Sequence, residues 1–437
     1  MRQLAPVPST IHLAPRVDQD RLSFTGILIG AYLALFLCQF DLCMRLQGRL
    51  SFPPLYLLLG SQSLLAVSIW YQNPRRVLQL LGECQGGIFA FAAIAVLAFA
   101  GAALPDADLS DGGMNAIYPT LDFLIYLLAI PLVTIFASAR NWRLANLIAL
   151  IGIATSIFID ARYPGTFSLQ ETRAAGFGIN PNRGAAITVM VLIGALDWKH
   201  PRVSFATICW GMLALAAVFL TLSRSGVLML GVVGTSYLRL CVRRNGMGSL
   251  VLLGGLAFGV GGYALIAADA AQQVLPMFES AGSRANLFSG QLDAMETSED
   301  SRLILVQEYL DMIFEHPILG WGTGFTYGNE LGAHNMFLAR WVDNGIFGLG
   351  AYVALIWMTF RTGRKYGSWE CMTVGLFLFA YSFFTHNLLE QKNMLLIMAI
   401  TAGRAALNAR RPVSVGNAVL ATRRMTYSPR EGLAKAG

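Results

Sequence analysis

The stretch Val203-Ser-Phe-Ala-Thr-Ile-Cys-Trp-Gly-Met-Leu-Ala-Leu-Ala-Ala-Val-Phe-Leu-Thr-Leu-Ser223 carries no charged residue and stops against Arg224. A helix rises about 1.5 Å per residue, so roughly twenty such residues cross a hydrocarbon layer ~30 Å thick. Segments 22–40, 50–73, 85–104, 123–139, 245–268, 344–360 and 371–389 are equally free of Asp, Glu, Lys and Arg. Segment 144–159 is slightly short. Segments 184–196, 225–238 and 393–403 are shorter still and span only if flanking Arg and Lys side chains snorkel. Together they predict an all-α, polytopic integral membrane protein of about twelve transmembrane helices.

Composition points the same way. Of 437 residues, 55% are hydrophobic and 13% charged, whereas a soluble domain carries about 25% charged residues. The charges gather in short clusters between the apolar runs. That excludes a water-soluble enzyme, a disordered chain and a fibrous protein. The net charge of +7 reads as basic cytoplasmic loops rather than nucleic-acid binding. Six cysteines without C-x-x-C spacing read as packing residues, not as a disulfide framework or metal site. The polar leader lacks an A-x-A site, which predicts a retained anchor helix. No internal repeat is visible.

Orientation follows from the basic residues. With the N-terminus inside, the inner loops hold Arg75/Arg76, Arg140/Arg143, Lys199/Arg202, Arg239/Arg243/Arg244 and Arg361/Arg364/Lys365. The expected order is a cytoplasmic leader (1–21), helices 1–9 (22–268), a large periplasmic loop (269–333), helices 10–12 (334–407) and a basic cytoplasmic tail (408–437). Both termini then lie in the cytoplasm. Arg173, Arg183, Arg224, Arg302 and Arg340 fall on the outer side, several against apolar runs. An arginine at membrane depth is costly unless it is paired or lines a wet cavity. Snorkelling explains any single one, while a shared anionic ligand explains the group, because guanidinium grips phosphate bidentately.

Two outer loops are long. The first, 160–182, ends in Arg173-Ala-Ala-Gly-Phe-Gly-Ile-Asn-Pro-Asn182-Arg183, a structured turn into the next helix. The second, 269–333, contains an amphipathic helix at 302–316 with Gln307, Glu308, Asp311 and Glu315 opposite Leu303, Val306, Leu310, Ile313 and Phe314. Such a helix lies flat at a membrane surface and caps a cavity between the spans. The run Gly320-Trp-Gly-Thr-Gly324 would bring backbone N–H groups near a phosphate, although glycine turns are common. His334, at the mouth of a span, is either a cap or a general base working near neutral pH. His386 lies at the outer end of another span and can line the same cavity. His12, His200 and His316 read as structural, and Asp106 and Asp108 as solvated. No His/Asp/Glu set has metal-ligand spacing, and no Walker A lysine motif occurs.

Taken in order, Thr221-Leu-Ser223-Arg224-Ser225-Gly226, Arg302 opening an outer-loop helix, Pro317-Ile-Leu-Gly-Trp-Gly322, His334-Asn335-x-x-Leu338 and Asn344-Gly345-Ile-Phe-Gly348-Leu resemble the O-antigen ligase and Wzy-type polysaccharide polymerase superfamily. Asn180-Pro181-Asn182 resembles its loop before a span. Asp343 departs from the Glu that many relatives carry. The resemblance implies an undecaprenyl-pyrophosphate-linked glycan donor, a saccharide acceptor and a periplasmic active site at the bacterial inner membrane. It implies Arg224 and Arg302 as the pyrophosphate grip, with Arg173, Arg183 and Arg340 as helpers. His334 would be the base that deprotonates the acceptor hydroxyl, and Asn182, Ser223, Asn335, Asp343 and His386 would support it. Inverting transfer without metal or other cofactor is expected. A polysaccharide flippase and a chain-length regulator are the partner proteins implied. Polymerisation of an exopolysaccharide or O-antigen repeat is the leading reading, and ligation to lipid A–core the alternative. A transporter of lipid-linked glycan or anions is the reading from another class, against which the sequence shows neither inverted repeats nor broken midplane helices.

Overall fold

The computed structural model describes residues 23–110, 113–169, 173–245, 296–328, 334–385 and 387–409, and every regular element among them is helical. The leader, the expected span 245–268, most of the large loop, His386 and the basic tail lie outside the described residues, as does the side chain of Arg302.

The first half runs α1 (Phe24–Leu37), α2 (Phe40–Leu46), α3 (Pro54–Gln72), α4 (Pro74–Glu83), α5 (Gln85–Gly101), α6 (Met114–Leu132) and α7 (Ala139–Arg162). Next come α8 (Pro181–Ala195), α9 (Phe205–Leu220) and α10 (Arg224–Asn245). After the outer helix α11 (Glu296–Glu315) the chain continues as α12 (Met336–Tyr366), α13 (Trp369–Tyr381) and α14 (Lys392–Ala409). Five of these helices are long and apolar enough to cross a membrane, or seven if each of two bent pairs counts once. This is a multi-pass architecture with fewer full-length spans among the described residues than the twelve expected.

The shortfall has physical reasons. The expected span 22–40 breaks at Gln39 (φ 60°), and α1 and α2 meet at 49°. The inner loop expected around Arg75 and Arg76 is itself a helix, α4, which buries Val77 and Leu80 and turns 72° into α5. Expected span 184–196 is α8, 15 residues long and so only about 22 Å. It lies wholly inside protein, with every residue from Gly184 to Ala195 buried. From Asn393 to Ala406, α14 is buried in the same way, and these two helices form the centre. Small residues permit the approach: a Cβ on Gly194 would fall 2.3 Å from Asn146.

One end of the bundle is closed by ion pairs. Arg143 binds Asp197 at 2.8 Å, Lys365 binds Glu83 at 3.0 Å, and buried Arg404 meets Glu370, which also accepts the Trp142 indole N–H at 2.6 Å. Arg404, expected in the tail, is thus part of α14. At the other end, the outer helix α11 has three sides. Tyr309 and Ile313 pack against Ala339 and Val342 of α12. Val306, Leu310 and Phe314, expected to share one buried face with Ile313, are exposed, and the acidic side follows them around the axis.

The turn after α11 is locked to a break in α12. Gly345 adopts φ 63°, ψ −162°, and a Cβ there would fall 2.0 Å from the Ile318 carbonyl oxygen. Trp321 N–H donates to the Val342 carbonyl (2.8 Å), Gly322 N–H to that of Asp343 (3.0 Å) and Ile346 N–H to that of Pro317 (3.0 Å). Gly345→Val should therefore lower stability by about 3 kcal/mol or more, since strain and clash combine. Gly350→Ala, where nothing lies within 4 Å, should leave it unchanged. Thermal unfolding of the two variants in detergent, followed by tryptophan fluorescence, checks this.

Candidate functional site

The first motif loop is organised by one carboxylate. Asp160, fully buried near the end of α7, accepts four backbone N–H groups. Its Oδ1 takes those of Phe167 (3.0 Å) and Ser168 (3.3 Å), and its Oδ2 those of Ala175 (2.7 Å) and Gly176 (3.2 Å). Ser156 Oγ takes a fifth, from Phe177 (3.0 Å). The loop is thereby fixed against α7 with Arg173 at its middle.

Arg173 then ties two motifs together. Its Nε donates to the carbonyl of Thr221 (3.1 Å), and its Nη2 to Leu222 O and Asn182 Oδ1 (3.2 Å each). Asn182 Oδ1 also accepts the Ser223 hydroxyl at 2.9 Å, and Ser223 Oγ caps the N–H of Gly226 at 3.1 Å. Arg173, Asn182 and Ser223, expected to share a site, are in direct contact. Arg224 follows Ser223 at the first position of α10 and is exposed, so its guanidinium is presented outward from this cluster.

The second motif group reaches the same place through the end of α13. The Tyr381 hydroxyl donates to the Asn182 carbonyl at 3.5 Å, and the next residue, Ser382, accepts the N–H of Met336 at 2.8 Å. His334 lies two residues before Met336, exposed, with φ 43°. Asn335 caps α12 through bonds from Phe337 N and Leu338 N. One helix end therefore holds the start of α8 on one side and the turn bearing His334 on the other.

Arg340 is buried one turn into α12, within reach of the charges of Asp343 and of Asp122 on α6. Asp343 in turn holds Thr326 by its N–H (3.0 Å) and hydroxyl (3.2 Å). Arg183, in the first turn of α8, lies near Glu390 and Tyr381, its Nε buried without a partner. Burial pushes the Glu390 carboxyl up to about 7, against the pull of the Arg183 charge. Lys392 pairs with Asp41 at 3.5 Å. Sequence reading missed Asp41, Asp122, Glu390 and the part played by Lys392. Their signal was faint: acidic residues at the ends of apolar runs, read as loop charges.

One expectation is corrected. The backbone of the glycine run does not cradle an anion, because its donors are engaged within the protein. Besides Trp321 and Gly322, Gly320 N–H binds the His316 carbonyl and Thr323 N–H that of Gly101. The glycines serve close approach instead, with Gly322 against Ala107 and Gly324 against the Asp108 carbonyl.

Replacing Asp160 with alanine would leave four buried donors unanswered, each worth about 1–3 kcal/mol. Hydrogen exchange should accelerate across 167–178, with the loop losing its hold on Arg173. Glu390 gives a second expectation. Its folded value lies above the 4.5 of an ordinary glutamate, so its contribution to stability is full below about 4.5 and fades as pH rises through 7. Glu390→Gln should flatten the dependence of melting temperature on pH across that window.

No curated protein matches the chain. Residues 209–353 match the family model described as O-antigen ligase. The match runs from α9 through the Ser223–Arg224 motif and the His334 turn into α12, while Arg173, Asn182, Arg183 and Glu390 lie outside it. The chain thus carries a domain of the O-antigen ligase family, which supports the superfamily resemblance drawn from its motif order.

Proposed function

We propose that this protein is a bacterial inner-membrane glycosyltransferase that polymerises undecaprenyl-pyrophosphate-linked oligosaccharide repeats, into exopolysaccharide or O-antigen, on the periplasmic side. The observation that carries the proposal is the bridge at Tyr381 and Ser382. It brings the basic Arg173–Asn182–Ser223–Arg224 cluster and the imidazole of His334 to one end of the bundle.

The reaction divides naturally between them. The acceptor hydroxyl oxygen attacks the anomeric carbon, the bond from that carbon to the pyrophosphate oxygen breaks, and the pyrophosphate leaves with the electron pair. Arginines in a partly dry site stabilise the charge that grows on the leaving group better than water does. Arg224 and Arg302 grip the pyrophosphate, with Arg173, Arg183 and Arg340 reinforcing the field. His334 takes the acceptor proton, its ordinary basicity being suited to work near neutral pH. A single displacement inverts the anomeric centre and asks no metal of the site. The donor's polyprenyl chain stays in the bilayer throughout.

The printed description of the matching family favours a second reading, ligation of the finished glycan to lipid A–core. Both readings use one donor site and differ in the acceptor. A deletion strain separates them: polymerase loss leaves single repeats, whereas ligase loss leaves long chains on the undecaprenyl carrier. A flippase and a chain-length regulator would then act beside this enzyme.

His334 tests the chemistry. Asparagine tolerates the left-handed backbone that residue 334 adopts, so His334→Asn should insert normally yet abolish transfer. Near-normal polymer would remove the imidazole from the mechanism. Arg224→Lys keeps the charge but not the planar fork and should lose most activity, about a hundredfold. Polymer from membranes supplied with lipid-linked repeat reads both.

A further inference from the structure

The two central helices are buried along their length but not at their starts. Arg183, Glu390 and Lys392 are half-buried at the motif end, whereas the residues of α8 and α14 that follow are fully buried. Because both helices are enclosed by the bundle, this partial exposure marks a crevice entering its centre. Asp41 of α2 and Asp122 of α6 close the sides. Lys392 Nζ lies 3.5 Å from Asp41 Oδ2, Glu390 is within reach of the Arg183 charge, and Asp122 is within reach of Glu390 and Lys392.

A second observation concerns amides rather than charges. Gln39 Nε2 donates to Asn393 Oδ1 at 2.8 Å, yet Gln39 Oε1 and Asn393 Nδ2 have no partner although both side chains are buried. Buried amide atoms are nearly always answered, by protein, water or ligand. Three carboxylates against two cations give this crevice no excess of positive charge, so it is poorly matched to pyrophosphate. It suits a polyhydroxylated ligand. Carboxylates accept short, strong bonds from hydroxyl groups, and amides both donate and accept. Intramembrane ionisable residues facing a cavity are where function is expected.

We propose that this crevice is the subsite for the acceptor saccharide, with Glu390 and Asp122 receiving its hydroxyl groups and Arg183 forming the boundary with the donor pyrophosphate. The assignment rests on the glycosyltransferase reading and adds to it the place and chemistry of the second substrate. Arg183 adjoins Asn182, so a sugar held here abuts the cluster assigned to the donor.

The test uses the full chain in lipid nanodiscs and two probes. One is undecaprenyl pyrophosphate. The other is a lipid-free oligosaccharide made by partial hydrolysis of the host's own surface polysaccharide. Wild type should bind both. Glu390→Gln and Asp122→Asn should each weaken oligosaccharide binding about tenfold or more while moving undecaprenyl pyrophosphate by less than about twofold. Glu390→Asp keeps the charge and should retain most of the oligosaccharide affinity, which separates a lost contact from a lost fold. Unchanged oligosaccharide binding in both neutral variants overturns the subsite while leaving the transferase reading intact. Equal loss of both probes also overturns it, since the cluster would then belong to the donor site or to the fold. Wild type that binds neither probe overturns the transferase reading itself.

Discussion

A polar loop can rest on an apolar bundle only if its backbone donors are answered, and a single carboxylate does most of that here. Asp160 gathers four N–H groups from residues seven to sixteen positions further along the chain. The folded loop delivers Arg173 to the carbonyls just before α10, and Arg173 and Ser223 share the amide oxygen of Asn182. Without that anion the loop would have to find its partners in water, and the contacts among α7, α8 and α10 would lose their common pin. Hydrogen bonds to an ionised acceptor are about twice as strong as neutral ones, which is why one residue suffices.

The tryptophan-glycine turn and the broken helix form a second unit with a different purpose. Its conserved-looking spacing invites a phosphate-binding interpretation, yet its N–H groups bond to Val342, Asp343, His316 and Gly101. Glycine stands there because α5, the 102–110 segment and the break in α12 crowd against it. The unit sets where Arg340 and Asp343 sit, and through the start of α12 it sets where His334 is offered.

The membrane character, the helical class and the contact of Arg173 with Asn182 and Ser223 were legible in the sequence. Apolar runs declare themselves through burial or lipid, and polar motifs cluster when a bundle has only one end to share. Bends were not legible, because hydropathy is blind to direction: Gln39 and Cys84 look like ordinary residues within or beside apolar stretches. Nor was the set of Asp41, Asp122, Glu390 and Lys392, whose members are far apart in sequence and join only through packing of α2, α6 and α14. The three-sided nature of α11 escaped a two-sided pattern because Tyr309 and Met312 counted toward neither face.

The shortness of α8 has a geometric consequence. At its far end, Asp197 is level with Arg143 in the second turn of α7. From Arg143 to the end of α7 at Arg162 the rise is about 29 Å, whereas the whole of α8 rises about 22 Å. The summit of the central helix therefore stands several ångströms below its neighbour, and the Asp160-held loop descends into the resulting hollow. A sugar chain arriving from the aqueous side would be lowered into this basin, while an isoprenoid carrier could approach it sideways without being lifted clear of its own solvent. In that arrangement the meeting point of two immiscible substrates is built by leaving one helix short.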